Sequence, residues 1–262
     1  MEVLKNPLNF AFLRRLNSKH IVLRFVIDFG NTSAKIGLFD EDRLILVKRE
    51  VKKKEIMELV RQYEPKSVMI SSVSKKLEKF MVRLSTQAPL YLLDKNTQLP
   101  FANNYETPDT LGSDRLANAA GAQAKFPNKN NLIIDCGTCI TYDFIDQNSE
   151  FHGGGISPGA ILRLKALHNY TSRLPLVDLG VSEVPLIGRS TKKSILSGVI
   201  NGTIAEIEGI VSRYKEKFDD LNIILSGGDA KFFESKLKAH IFAIPELVLM
   251  GLNHILKHNE EL

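Results

Sequence analysis

Residues 26–40 read Val26-Ile27-Asp28-Phe29-Gly30-Asn31-Thr32-Ser33-Ala34-Lys35-Ile36-Gly37-Leu38-Phe39-Asp40. A β-branched pair runs into Asp28, a small polar turn follows, and residues 36–39 are mostly apolar again. This is the pattern of strand, tight turn, strand. The turn holds what a polyphosphate needs. Gly30 lets the backbone come close to an oxyanion. Asn31, Thr32 and Ser33 supply donors, and Lys35 supplies positive charge. Asp28 cannot ligate a phosphate, but it can hold a metal, directly or through water. On this segment alone an ordinary polar hairpin reads the same way.

Residues 131–146 repeat the layout: an apolar run ends in Asp135, the turn Cys136-Gly137-Thr138 follows, and a second run ends in Asp146. Asp28 and Asp135 lie about one small domain apart along the chain. Two Asp-x-Gly-Thr-like hairpins predict a duplicated domain with a nucleotide held between the halves.

The 262 residues are 44% hydrophobic and 25% charged, values for a soluble globular protein long enough for two cores. No apolar run is expected to reach the length that spans a bilayer. A net charge of +5 suits an anionic substrate, and no arginine-rich arm or aromatic-studded basic stripe points to nucleic acid. The two cysteines, Cys136 and Cys139, have redox-motif spacing, but they sit inside the second hairpin, where strand–turn geometry sets that spacing. A reducing cytoplasm is the simpler context. Residues 1–20 precede the first strand. They lack the continuous apolar core of a secretory signal and read as a dispensable extension with a weakly amphipathic, basic pattern.

Onward from the first hairpin, the pattern predicts a strand over Arg43–Val51, a helix over 52–63, a strand over 67–73, a helix over 75–85 and a strand over 90–93. Antiparallel strands followed by alternating helices and strands predict a mixed sheet with helices outside it. Residues 94–111 read as a long loop, which in a compact protein is usually functional or mobile. It closes on Gly112-Ser113-Asp114-Arg115 before a helix over 116–126. An N-cap at Ser113 or Asp114 explains the acid, but a cation in a first helical turn is mildly unfavourable, so Arg115 calls for another reason.

In the second half, strands are expected over 132–135, 140–145 and near 150–152. A glycine-rich loop over 153–159 and a helix to about His168 follow. Ser190 or Thr191 is a good N-cap for a long helix with an apolar stripe at Ile195, Val199, Ile204, Ile207 and Val211. A strand over 221–225 ends in Ser226-Gly227-Gly228-Asp229, a turn able to receive a sugar or phosphates, and a last helix runs over about 246–257.

Taken together, these segments resemble the type III pantothenate kinases, members of the superfamily of sugar kinases, actin and heat-shock chaperone ATPases. The matching stretches are Asp28-Phe-Gly-Asn-Thr-Ser-Ala-Lys35, Tyr105 with Gly112-Ser-Asp-Arg115, Asp135-Cys-Gly-Thr138, Gly153-Gly-Gly-Ile-Ser-Pro-Gly159, Gly188-Arg-Ser-Thr191 and Ser226-Gly-Gly-Asp229. Six matches in the right order are specific where any one alone is weak. The departure is the extension, since family members usually begin within a few residues of the first strand.

The resemblance implies an α/β fold of two ribonuclease-H-like (actin-like ATPase) halves, each a mixed sheet flanked by helices, here over 21–127 and 128–262. It implies that ATP phosphorylates the primary hydroxyl of pantothenate to 4'-phosphopantothenate, the first step of coenzyme A biosynthesis, in a cytoplasmic homodimer. It assigns ATP to Asp28, Phe29, Gly30, Asn31, Thr32, Ser33, Ala34, Lys35 and Thr138. Pantothenate falls to Tyr105, Gly112, Ser113, Asp114, Arg115 and Thr191, with Asp114 the general base. Asp135 is implied as the ligand of a monovalent cation, potassium or ammonium, alongside magnesium. The chemistry of the residues agrees: phosphoryl transfer needs neutralised phosphates and an oriented nucleophile, and Arg115 can pair with pantothenate's carboxylate. A catalytically inactive nucleotide-binding regulator and a sugar kinase are the alternatives, with an exopolyphosphatase behind them.

Overall fold

The computed structural model describes residues 22–30, 34–72, 77–180 and 183–262. The structure divides into two compact units. One is the chain through Lys125 together with Leu247–Leu262, and the other is Phe126–Glu246.

In the first unit, β1 (Leu23–Phe29), β2 (Ala34–Asp40) and β3 (Arg43–Val51) form an antiparallel meander. Helix α1 (Lys53–Tyr63) leads to β4 (Ser67–Ser72), and α2 (Glu78–Ser85) leads to β5 (Leu90–Leu92). β4 and β5 add in parallel, so the order is β3-β2-β1-β4-β5. Strand alternation sorts the two faces. Leu23, Phe25, Ile27 and Phe29 face a core with Ile56, Leu59 and Val60 of α1 and Phe80 and Leu84 of α2. Arg24, Val26 and Asp28 point to the opposite face.

After β6 (Ala102–Asn103) comes α3 (Ser113–Lys125), which packs against the final helix, α7 (Leu247–Glu260). These two helices touch backbone to backbone. A Cβ on Gly251 would lie 1.7 Å from the Ala117 carbonyl oxygen, and one on Gly121 would lie 2.5 Å from that of Leu247. The far end of α7 is tied by Glu260, which accepts from Arg24 and from the Ser67 hydroxyl at 2.5 Å. The sequence reading counted residues 128–262 as the second half. The structure instead places α7 in the first unit, because a helix with Leu247, Leu249, Leu252, Ile255 and Leu256 all buried needs apolar cover along its length.

The second unit repeats the plan. β7 (Asn130–Cys136), β8 (Cys139–Ile145) and β9 (Glu150–Pro158) are an antiparallel meander, and β10 (Leu221–Ser226) and β11 (Phe242–Ala243) add in parallel. The order within the unit is β11-β10-β7-β8-β9, matching the first unit strand for strand. Helices α4 (Ala160–Asn169), α5 (Thr191–Lys217) and α6 (Ala230–Glu234) cover the face that bears Leu132, Ile134 and Cys136. This is the duplicated ribonuclease-H-like, actin-like fold.

Two expectations change. The glycine-rich stretch is not a loop: residues 153–158 continue β9, and Gly154 lies so close to the Tyr142 carbonyl oxygen that a Cβ would sit 1.6 Å away. Its glycines serve close strand approach as well as turning. Helix α5, 27 residues with a π-helical turn at Ser197–Asn201, is long and apolar enough by composition to cross a bilayer, against the expectation that no run would be. Its apolar side (Ile195, Leu196, Val199, Ile200, Ile207, Val211) packs in the unit's core. Residues 1–20 lie outside the described residues.

Candidate active site

The first hairpin sets Asp28 opposite Lys35 on β2, and the parallel neighbour of Asp28 on β4 is Ser71. Asn31, Thr32 and Ser33 lie outside the described residues. Gly30 is exposed and Ala34 is buried in the core. Phe29 turns its ring into the core, edge-on to Phe80 at 5.7 Å, so only its backbone is available to a ligand.

The start of α3 is built differently from the sequence reading. The Gly112 carbonyl accepts from the N–H groups of Arg115 (3.1 Å) and Leu116 (3.4 Å), which makes Gly112 the capping residue. Ser113 and Asp114 are therefore inside the first turn and are not its cap. The Ser113 hydroxyl lies 2.9 Å from that of Ser71. An Asp114 carboxylate oxygen accepts from the Arg115 N–H at 2.9 Å. A Cβ on Gly112 would stand 2.4 Å from that oxygen, so the carboxylate can fold back only over a glycine. Acid at this end of a helix is favoured by the dipole.

Arg115 is 5% exposed. Its guanidinium carbon sits 5.3 Å from the centre of the Tyr105 ring, and Nη1 donates to the Tyr105 hydroxyl at 3.5 Å. Tyr105 is held in turn by its N–H, which donates to Asn103 Oδ1 at 3.1 Å. Gln123 of α3 donates to the Pro100 carbonyl at 3.0 Å. The loop before α3 is thereby pinned to it, and Tyr105, Gly112, Ser113, Asp114 and Arg115 come together.

In the second unit, Asp135 occupies on β7 the place of Asp28 on β1. Its in-register neighbours are Thr141 on β8 and Ser226 on β10. Paired residues share a sheet face, so carboxylate and hydroxyls stand in one row. The Thr141 and Ser226 hydroxyl oxygens are buried and have no hydrogen-bond partner among the described residues. Gly227, at φ +93°, leaves room for Asp135: a Cβ there would be 2.3 Å from Asp135 Oδ1. Such a row of hard oxygens suits a cation. Sequence reasoning missed Ser71 and Thr141, and it read Ser226 as part of a turn for a sugar or phosphates. The signal is the hydroxyl beside each of the two aspartates, legible only once the strands are in register.

Thr138 forms the tip of the second hairpin. Gly137 N–H donates to the Cys139 carbonyl at 2.9 Å, and Gly159 N–H donates to the Thr138 carbonyl at 3.0 Å. The end of β9 is fixed there by Arg163 of α4, which donates to the Pro158 carbonyl (2.7 Å), to Ser157 Oγ (2.8 Å) and to Glu206 of α5. Glu206 also accepts from the Tyr142 hydroxyl at 2.8 Å. Burial alone would raise the Glu206 carboxyl, but these donors together hold it below the ordinary range. Burial, with Asp135 nearby, pushes the Cys136 thiol far above its usual value, so it stays protonated and unreactive. The turn after β10 leads only to a five-residue helix, with Asp229 raised by burial.

Thr191 is the exposed first residue of α5. Ser190 is the cap, accepting from Lys193 N–H at 3.3 Å. Thr191 lines a groove of about 770 Å³ between α4 and α5, with Arg163, Tyr170 and Ser194 among the other walls.

Residues 24–213 match the family model for type III pantothenate kinase. A type III pantothenate kinase of Cytophaga hutchinsonii is 45% identical over 237 residues, covering 90% of this chain and all of the relative. One from Bacteroides fragilis is 42% identical over 240 residues, covering 90% and 98%. Among solved structures, a protein from Campylobacter jejuni described as a Baf family transcriptional activator superposes with a TM-score of 0.60 at 21% identity. It covers 91% of this chain and all of its own, a likeness of fold alone.

Proposed function

The chain belongs to the type III pantothenate kinase family and phosphorylates pantothenate with ATP and a divalent metal; from that premise we propose how its residues divide the work. Asp114 is the general base. It takes the proton of the primary hydroxyl as the phosphoryl group arrives. The observation that carries this is the first turn of α3, where Asp114, bent back over Gly112, stands next to the buried, ring-held Arg115. Arg115 pairs with the pantothenate carboxylate, and Tyr105 keeps the guanidinium plane fixed for it. Gly112, Ser113 and Thr191 complete the acceptor site. A sugar acceptor would give Arg115 no counter-charge.

Asp28, Gly30 and Lys35, with Phe29 and Ala34 through their backbone and with Asn31, Thr32, Ser33 and Thr138, receive the phosphates of magnesium-bound ATP. Asp135, Thr141 and Ser226 would hold a monovalent cation, potassium or ammonium, whose charge offsets the phosphates. The two orphaned hydroxyl oxygens favour that donor set over a carboxylate acting alone.

The working form in this reading is a cytoplasmic homodimer. Tyr170 and Leu162 on the wall of the α4–α5 groove are 89% and 39% exposed, an apolar surface suited to a second copy. ATP turnover with and without pantothenate, each in potassium and in sodium, tests the acceptor and the cation together. ADP release that ignores pantothenate would remove the kinase assignment. Light scattering of the purified protein tests the dimer.

A further inference from the structure

We propose that Ser71 is a positioning residue for phosphoryl transfer, fastening the base-bearing turn of α3 to the strand that carries Asp28. The inference rests on the reading of Asp114 as the base. Ser71 is 1% exposed and sits one residue from the end of β4. It shares a sheet face with Asp28, its in-register neighbour. Its hydroxyl is 2.9 Å from that of Ser113, and either oxygen can donate. Ser113 adjoins Asp114.

The first turn of a helix is its weakest part, because its N–H groups have no helical acceptors. Here that turn follows a long loop and carries the reacting carboxylate. A part-buried hydroxyl–hydroxyl bond, with Ser71 itself buried, holds better than one fully exposed to water. This bond ties Ser113 to the central sheet. Through it the phosphate-side strand and the acceptor-side helix share one rigid reference.

The duplication supplies a control inside the same molecule. Ser226 flanks Asp135 in register as Ser71 flanks Asp28, each on the fourth strand of its unit. Ser226 Oγ is buried with no hydrogen-bond partner among the described residues. Burying a hydroxyl at this strand position therefore does not by itself require a Ser113-like partner. The Ser71–Ser113 bond is a feature of the unit that bears the base.

The test uses the full chain and four variants: Ser71→Ala, Ser71→Cys, Asp114→Asn and the Ser71→Ala/Asp114→Asn double. Misplacing a reacting group by a fraction of an ångström to an ångström costs roughly tenfold to a hundredfold in rate. Ser71→Ala should lower kcat by about tenfold while KM for ATP and the melting temperature hold. Ser71→Cys, near-isosteric but without a strong O–H donor, should do the same and serves if the alanine variant folds poorly. In the Asp114→Asn background Ser71→Ala should cost no further rate, since it acts through Asp114. Full kcat in a folded Ser71 variant overturns the proposal, and so does a loss that multiplies with that of Asp114→Asn. Normal turnover by Asp114→Asn alone would instead remove the base assignment, and this positioning role with it.

Discussion

The two hairpins are copies in topology and opposites in chemistry. On β1 the partner of Asp28 across the hairpin is Lys35, while on β7 the partner of Asp135 is Thr141. Four residues separate β1 from β2, and only two, 137–138, separate β7 from β8, closed by the Gly137–Cys139 bond. A longer connection with a lysine just after it suits a polyanion. A tight turn beside a row of hydroxyls and a carboxylate suits a cation. In the proposed division, a duplicated scaffold keeps its aspartate at one strand position and would change the ligand class through the residue opposite.

The strongest way to break this division is Asp114→Asn, because the proposed general base belongs to the first unit. The variant should keep its melting temperature while kcat falls by roughly 10²-fold or more, the usual worth of acid–base assistance. Near-normal turnover would send the search for the base to Asp28. Arg115→Ala should raise KM for pantothenate by about tenfold or more, the worth of a charge-assisted hydrogen bond, with KM for ATP changed much less. Equal rises would make Arg115 structural.

The second hairpin is sharpened by Asp135→Ala. Its rate in potassium should fall to its rate in sodium, erasing a ratio that the parent protein should display. A ratio that survives would move the cation elsewhere. The smallest effect concerns the clamp behind that hairpin. The Glu206 carboxyl is held below its ordinary value of 4.5 by Arg163, Ser157 and Tyr142. A depressed folded value means stability present above about pH 4.5 and lost as pH falls through the folded value. Glu206→Gln should therefore flatten the acid limb of a melting-temperature profile by a degree or a few. An acid limb as steep as that of the parent would count against the clamp.

Much of this was legible in the chain. The hairpins announced themselves because β-branched runs, Asp-x-Gly turns and period-two alternation all agree locally. The proposed acceptor residues came from the family resemblance, and the chain itself offered one anomaly beside them, a cation in a first helical turn. What stayed hidden depends on register or on distant partners. Ser71 and Ser226 look like strand-end serines until β4 and β10 are paired. Gly153, Gly154 and Gly155 look like a loop because glycine weakens strands, and only the closeness of Tyr142 explains Gly154. The membership of α7 was invisible because its partner surface lies more than a hundred residues earlier in the chain.

That last feature bears on how the protein is made. The second unit is one uninterrupted segment, Phe126–Glu246, whereas the first needs Leu247–Glu260 to cover α3 and the face of β1 that bears Val26. A ribosome releases α7 only after the whole of the second unit. The half that begins the chain is thus the later of the two to be completed, and until then Gly121 and its neighbours on α3 lack their backbone contact. The helix bearing the proposed base therefore reaches its final packing only after the second unit has been synthesised.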